Sequence, residues 1–239
     1  MKKISWKVSY LIISTLLICC PIRTFSQWWV EGGDEILNRL RIDKNISSME
    51  KVTYSSFEGD PFLYKNFAEG KVTMKNNETY QLKMRYDIYA DQVQFIRDDK
   101  VYNFISPGNI SSLTIDTLRF IYSDFKNSPD DKDTKGSSFF ILKKDGKCKL
   151  LVKKNIRIQA AEPPKIYQDA KPPKFIITAD TYFFKIGDES AVRVRSKKDV
   201  LNLLGNRSDD IAKFISTNKL GTNISDLYKI AGYYNGLKP

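Results

Sequence analysis

The chain has 239 residues, with 39 Lys or Arg against 28 Asp or Glu, a formal net charge of +11, three cysteines and no histidine. The missing histidine excludes Ser-His-Asp triads, HExxH zinc sites, histidine-ligated haem and histidine acid–base catalysis. Too few cysteines remain for a Cys-ligated zinc or iron–sulfur site, and no CxxC pair, GxGxxG fingerprint, GxxxxGK[ST] loop or GxSxG elbow occurs.

The N-terminus reads as an export signal. Lys2, Lys3 and Lys7 form a basic start, and Tyr10 to Cys20 is an apolar run too short to span a bilayer comfortably. Thr24-Phe25-Ser26 supplies small residues at the two positions a signal peptidase reads, so cleavage is expected after Ser26, leaving Gln27 first. Lipid attachment at Cys19 or Cys20 is the weaker alternative, because Ile18 and Cys19 precede them where processing wants a small residue; an uncleaved anchor is weaker still. Residues 1–26 hold four basic and no acidic side chains, so cleavage lowers +11 to +7 and leaves Cys148 as a lone cysteine. No internal disulfide is then available, and stability must come from packing. The 213 remaining residues suffice, since a chain of that size buries roughly 70% of its unfolded surface.

The organisation expected is a signal peptide (1–26), a β-rich antiparallel domain (27–160), a Pro-rich connector (161–173), and a β-hairpin with a small helical cluster (174–239). Trp28 and Trp29 are expected to pin the terminus to the body, and Asp34 to Ile42 has the spacing of a short helix capped by Asp34. Val52 to Phe67 is irregular, with a turn at Gly59-Asp60-Pro61. Glu69 to Lys75 reads as a strand and Asn76-Asn77 as a tight turn. From Leu82 to Phe104 apolar and polar residues alternate between short polar breaks, which predicts a three-stranded antiparallel meander. After Pro107-Gly108 come strand-like pieces at Leu113–Ile115 and Leu118–Phe125, then an exposed loop, 126–137, with no apolar side chain. Ser138 to Lys144 and Cys148 to Ile158 flank Asp145-Gly146, the pair favoured in a type I′ hairpin turn. Two Pro-Pro pairs mark 160–173 as a semi-rigid connector. Lys174 to Ile186 and Ala191 to Arg195 form a last hairpin across Gly187-Asp188.

The period then changes from two to 3.6. Ser196 with Asp199 forms a capping box for a helix carrying Val200, Leu201, Leu203 and Leu204. Ser208 is expected to cap a second helix with Ile211, Phe214 and Ile215 inward. Asn223 and Asp226 start a third with Leu227, Ile230, Ala231 and Tyr234 inward. The fold class is mainly β with a C-terminal α cluster, α+β.

Few residues carry reactive chemistry. Asp98, Asp99, Asp130, Asp131, Asp188 and Glu189 fall at turns, where solvation accounts for them better than a glycosidase pair would. The Asp130–Asp133 run lacks the alternating oxygen spacing, central glycine and terminal glutamate of a calcium loop. Cys148 reads as a space-filling buried thiol, although Lys147 and Lys149 flank it. No catalytic, metal or cofactor residue is assigned and no cofactor is expected. The one surface feature suited to an acidic partner is the basic hairpin, with Lys143, Lys144, Lys147, Lys149, Lys153, Lys154 and Arg157; a lysine-rich edge that discourages aggregation is the competing explanation. Tyr182-Phe183-Phe184 and Tyr233-Tyr234 read first as core. Nucleic acid is not expected as a partner, nor is a transmembrane span after cleavage.

The order of RYDIYADQVQF (Arg85 to Phe95), SFFILKKDGKCKLLVKK (Ser138 to Lys154), SKKDVLNLL (Ser196 to Leu204), NKL (Asn218 to Leu220) and YYN (Tyr233 to Asn235) resembles a group of uncharacterised exported proteins of Bacteroidota, over nearly the whole mature chain. The resemblance implies no activity and transfers no functional residue. Asp116-Thr117-Leu118 is similar to the short O-glycosylation acceptor of that phylum. The expected role is an exported, non-catalytic envelope or secreted protein, periplasmic, outer-membrane-associated or extracellular, that binds an envelope protein, a glycan or an anionic surface through its sheet. A carboxylate-based glycan hydrolase and a carrier of lipids or other apolar ligands are the alternatives.

Overall fold

The structure, a computed structural model, describes residues 42–43, 54–164 and 166–237. The signal segment with Ser26 and Gln27, the tryptophan pair and nearly all of the expected Asp34–Ile42 helix lie outside the described residues. Ile42 itself is in a strand, β1 (Ile42–Asp43), which pairs antiparallel with Phe104 and Asn103.

The alternation from Ala68 to Phe104 forms the strands it predicts: β2 (Ala68–Met74), β3 (Thr79–Asp87), β4 (Gln92–Arg97) and β5 (Lys100–Phe104), each antiparallel to the next. The turns follow from polar residues that tolerate left-handed backbone: Asn77 (φ 68°), Asp91 (φ 53°), Asp98 (φ 48°) and Asp99 (φ 57°). A 3₁₀ turn at Pro107–Asn109 ends the meander. The chain then returns as β6 (Ile110–Ile115) along the free edge of β2 and continues through Asp116-Thr117 into β7 (Leu118–Lys126).

β7 links two arrangements. Its first residues pair with β6, and from Phe120 to Phe125 it pairs with β8 (Gly136–Lys144). β8 pairs with β9 (Cys148–Gln159), β9 with β10 (Lys174–Ile186), and β10 with β11 (Ala191–Arg193). β11 then runs parallel to β7, Ala191 opposite Phe125 and Val192 opposite Lys126. Eleven strands among the described residues thus share one hydrogen-bonded sheet, and its last five close into a ring, β7–β11–β10–β9–β8–β7.

Period-two alternation sorts ring side chains between compartments. Phe140, Leu151, Phe183 and Ala191 fill the interior with Ile121, Phe125 and Leu142 against them. Phe140 and Phe183 meet edge to face at 4.9 Å. One residue along each strand the side chains point the other way: Phe139, Ile141 and Val152 join Tyr86, Phe95, Leu113 and Phe120 in the core under the meander. Cys148, Leu150 and Phe184 face the helices.

Those helices are α1 (Lys197–Leu203), α2 (Ser208–Thr217) and α3 (Ile224–Gly236). The Ser196–Asp199 capping box forms in both directions, and the Asn223 side chain caps α3 by accepting from Asp226 N–H. Ser208 does not cap α2; it is the first helical residue, and Arg207 precedes it without a side-chain cap. Val200, Ile211, Ile215, Leu227, Ile230, Ala231 and Tyr234 are buried against the ring. No helix among the described residues is long and apolar enough to cross a membrane.

Two local expectations change. Gly146 has φ 144° while Asp145 stays out of the left-handed region, so Asp145-Gly146 is not a type I′ turn. The pairing slips between Leu142 and Lys144, and the hairpin closes by a wider loop. The Pro-rich stretch 161–173, a connector by composition, is the tip of the β9–β10 hairpin. Its flanks pair from Cys148↔Ile186 to Gln159↔Lys174 with one bulge between Thr178 and Thr181, and Glu162 and Lys171 exchange both backbone hydrogen bonds at 3.0 Å.

Candidate functional site

The seven basic residues of the 141–158 hairpin do not form one patch. Neighbouring positions on a strand face opposite ways, so Lys153 and Lys154 diverge. Lys149 pairs with Asp145 (3.3 Å) and donates to the Gly146 carbonyl. Lys154 pairs with Asp180 (2.8 Å), beside the bulge in β10 between Thr178 and Thr181. Lys144 lies over the Tyr228 ring of α3 at 4.6 Å. Lys143, Lys147 and Arg157 are the exposed members.

Lys153 belongs to a network that local sequence gives no hint of. β8 and β9 pair as far as Ile141↔Val152 and then part. Asp91, from the β3–β4 turn, enters the fork. Its Oδ2 accepts from the Ser138 hydroxyl (2.5 Å) and the Lys153 ammonium (2.9 Å); its Oδ1 accepts from the Tyr86 hydroxyl (2.6 Å) and the Phe139 N–H (3.3 Å). The carboxylate therefore takes up an N–H that β9 leaves without a ladder partner where the strands diverge. Burial first, then the Asp91 carboxylate, pushes the Tyr86 phenol far above its ordinary range.

Lys153 Nζ is also bonded to Ser138 Oγ. A Ser–Lys pair can carry acyl transfer when a neutral amine takes the serine proton. Here the hydroxyl donates to Asp91, the ammonium is paired with the same carboxylate, and Ser138 is fully buried. The arrangement ties the meander to the ring.

Cys148 is buried and its thiol is pushed up to about 12 by desolvation, which outweighs the neighbouring Lys149. Asn235 of α3 closes the hairpin beside it. Asn235 Oδ1 accepts from Cys148 N–H (2.7 Å), and Nδ2 donates to the carbonyls of Cys148 (3.0 Å) and Asp145 (3.3 Å). A Cβ on Gly146 would lie 2.3 Å from Asn235 Nδ2, which fixes glycine there.

The acidic residues serve turns and ion pairs. Asp131 closes the 126–137 loop by accepting from Asn127 and Ser128 N–H, and Asp124 accepts from the Ser137 hydroxyl. Asp145 lies below the ordinary carboxyl value: burial raises it, but the Gly146 N–H, Lys149 and Arg119 together prevail. Among the described residues no group of three His, Cys, Asp or Glu could hold a metal ion. A surface recess of about 320 Å³ is lined by Tyr64 to Ala68 and Asp116. Thr117 is exposed at the β6–β7 turn beside it.

The feature left without an internal use is the outer half of the β9–β10 hairpin. Beyond the fork, Asn155 to Gln159 pair with β10 alone among the described strands. Phe175 anchors this arm, stacking on Phe57 at 5.0 Å and meeting Tyr54 and Tyr89 edge to face, while Glu58 pairs with Lys174. Bulky apolar side chains stand open on both sides of that anchor: Ile177, toward the fork, is 63% exposed, and Ile166 and Tyr167, at the tip, are 86% and fully exposed, while Tyr89 beside the anchor is 46% exposed.

Fold and site together define a β-rich α+β protein, a meander joined to a five-strand ring with three helices on its flank and one hairpin arm projecting from it. No protein-family model, curated protein or solved structure matches the chain.

Proposed function

We propose that the protein is an exported, non-catalytic binding module of the cell envelope whose sheet and ring are a scaffold for the β9–β10 arm. The observation that carries this reading is the contrast in how side chains are used. Reactive groups within the body, Asp91, Ser138, Lys153 and Cys148, are bonded or buried, while among the described residues the arm leaves Ile166, Tyr167 and Ile177 open to solvent. Exposed bulky apolar side chains on a stiffened element mark contact surfaces. Arg157 adds an exposed positive charge on the arm itself, where charge steers encounter more than it holds a complex.

The test is envelope fractionation of the native host. The parent chain is expected in the envelope fraction, and a variant with Ile166, Tyr167 and Ile177 changed to Ser is expected in the soluble export fraction, with an unchanged melting curve. Reversal of Arg157 to Glu should slow recapture without releasing the protein. Equal retention of parent and arm variant would remove the arm from this role.

A further inference from the structure

The arm ends in a point that presents Ile166 and Tyr167. Pro163-Pro164 and Pro172-Pro173 bracket it, and the Glu162–Lys171 pair closes its base with two backbone hydrogen bonds and a 3.0 Å ion pair. Proline fixes φ and removes donors, so the flanks that carry the tip have little conformational freedom to lose on contact. Tyr167 has φ 66°, a left-handed conformation that a bulky residue rarely adopts. Next to it, Ile166 is 86% exposed, and Tyr167 is exposed in full.

The size of this point selects its partner. One tyrosine and one isoleucine together offer on the order of 300–400 Å². A stable protein interface needs about 800 Å² from each partner, with a buried centre and a surrounding rim. A convex tip with two side chains supplies no such rim. A bilayer needs none: its interface takes up side chains singly, and tyrosine, with an apolar ring and a hydroxyl that stays hydrated, belongs at that depth. The charge has the matching sign. On the arm Lys171 pairs with Glu162 and Lys174 with Glu58, Arg157 is exposed, and the sequence beyond Ser26 carries +7. A net positive chain with an apolar tip favours an anionic surface.

We infer that Ile166 and Tyr167 insert into the headgroup region of an anionic lipid bilayer, holding the protein at a membrane surface peripherally and reversibly. This names the partner class for the arm and rests on the reading of the arm as the contact element. Two side chains give weak partitioning on their own, so the association depends on both tip and charge.

The experiment uses the full chain after export, its N-terminus verified by mass, with vesicles of phosphatidylglycerol and phosphatidylcholine in equal parts and vesicles of phosphatidylcholine alone. The parent should sediment with the anionic vesicles, less so with the neutral ones, and be released by salt. Ile166→Ser with Tyr167→Ser should weaken the partitioning by at least about tenfold, because binding follows apolar area as well as charge. Tyr167→Trp should gain an emission component quenched by bromine-labelled lipid, a readout that overall folding does not move. Equal binding by parent and double variant, or an unquenched Tyr167→Trp, overturns the inference. A parent dimer abolished by the double variant, without vesicle binding, overturns it in favour of a second copy. Envelope retention that needs the tip while vesicles are ignored also overturns it, but leaves the arm as the contact for an envelope protein or glycan.

Discussion

The β9–β10 hairpin is one continuous pair of strands with two fates. Its inner half, near Leu151 and Phe183, is part of a closed ring and is buried on every side. Its outer half, from Asn155 and Thr178 outward, has the same pairing, but Phe175 is its main buried anchor and Ile177 stands open. Pairing is therefore not what separates core from surface here. The second contact is: β8 and β11 close over the inner half, and Asp91 marks where β8 turns away. An antiparallel pair is marginal by itself, so the outer half depends on its anchor and on the ring below.

Substitutions on the two halves should show this, and the inner half gives the largest effect. Phe183→Ala removes a ring that touches Phe125 and Phe140, and should cost about 3–5 kcal/mol in urea unfolding. Ile177→Ser, six residues away on the same strand, should stay within about 0.5 kcal/mol. At the fork, Asp91→Ala leaves the Tyr86 hydroxyl and the Phe139 N–H without an acceptor, and the Ser138 hydroxyl with only the Phe139 carbonyl, and should cost about 2–3 kcal/mol, with faster amide exchange at Phe139 than at Ile141. Near the closed end, Asn235→Ala should cost about 1–2 kcal/mol. Gly146→Ala should be more damaging in the parent than in the Asn235→Ala background, because the added methyl collides with Asn235.

Two smaller effects concern titration. Cys148, raised to about 12, should resist alkylation in the native protein and react in urea, so its labelling rate reports opening of the ring–helix interface. Asp145 is depressed below its ordinary 3.8. Its contribution to stability is present above that value and lost as pH falls through the lower folded value. Asp145→Asn should therefore flatten the acid end of the stability profile and leave neutral pH nearly unchanged.

Much of this architecture is legible in residue order. Leu82, Met84 and Tyr86 alternate with Lys83 and Arg85 and form a strand with that burial; Ser196 and Asp199 form their capping box; Leu227, Ile230, Ala231 and Tyr234 turn inward. These features are local, set by periods of two and 3.6 and by turn chemistry. What local pattern does not carry is anything that spans distance. Asp91 reads as an ordinary turn residue, yet its partners are Ser138 and Lys153, far along the chain. The lysines of the basic hairpin read as one patch, but pleating divides them and carboxylates engage three of them, two from distant positions (Asp91 and Asp180). The paired prolines mark a break in composition correctly. They do not reveal that the strands on either side return to each other, because register is a property of the pair.

The parallel contact between β7 and β11 has a consequence for the order in which the molecule forms. Every other neighbour in the ring is an antiparallel pair, and most of these join strands adjacent in the chain; β11 must find β7 across the whole of β8, β9, the arm and β10, and it does so through only two residue pairs. Loop-closure entropy places such a contact late and makes it slow. The meander and the long hairpin can form early from neighbours, leaving an open five-strand sheet with Phe140 and Phe183 facing water. Sealing that sheet with Ala191 and Val192 is expected to be the last step in closing the ring. The same seam should open first on unfolding, ahead of the β9–β10 pairing, and pulse-labelled amide exchange along β11 would time both events.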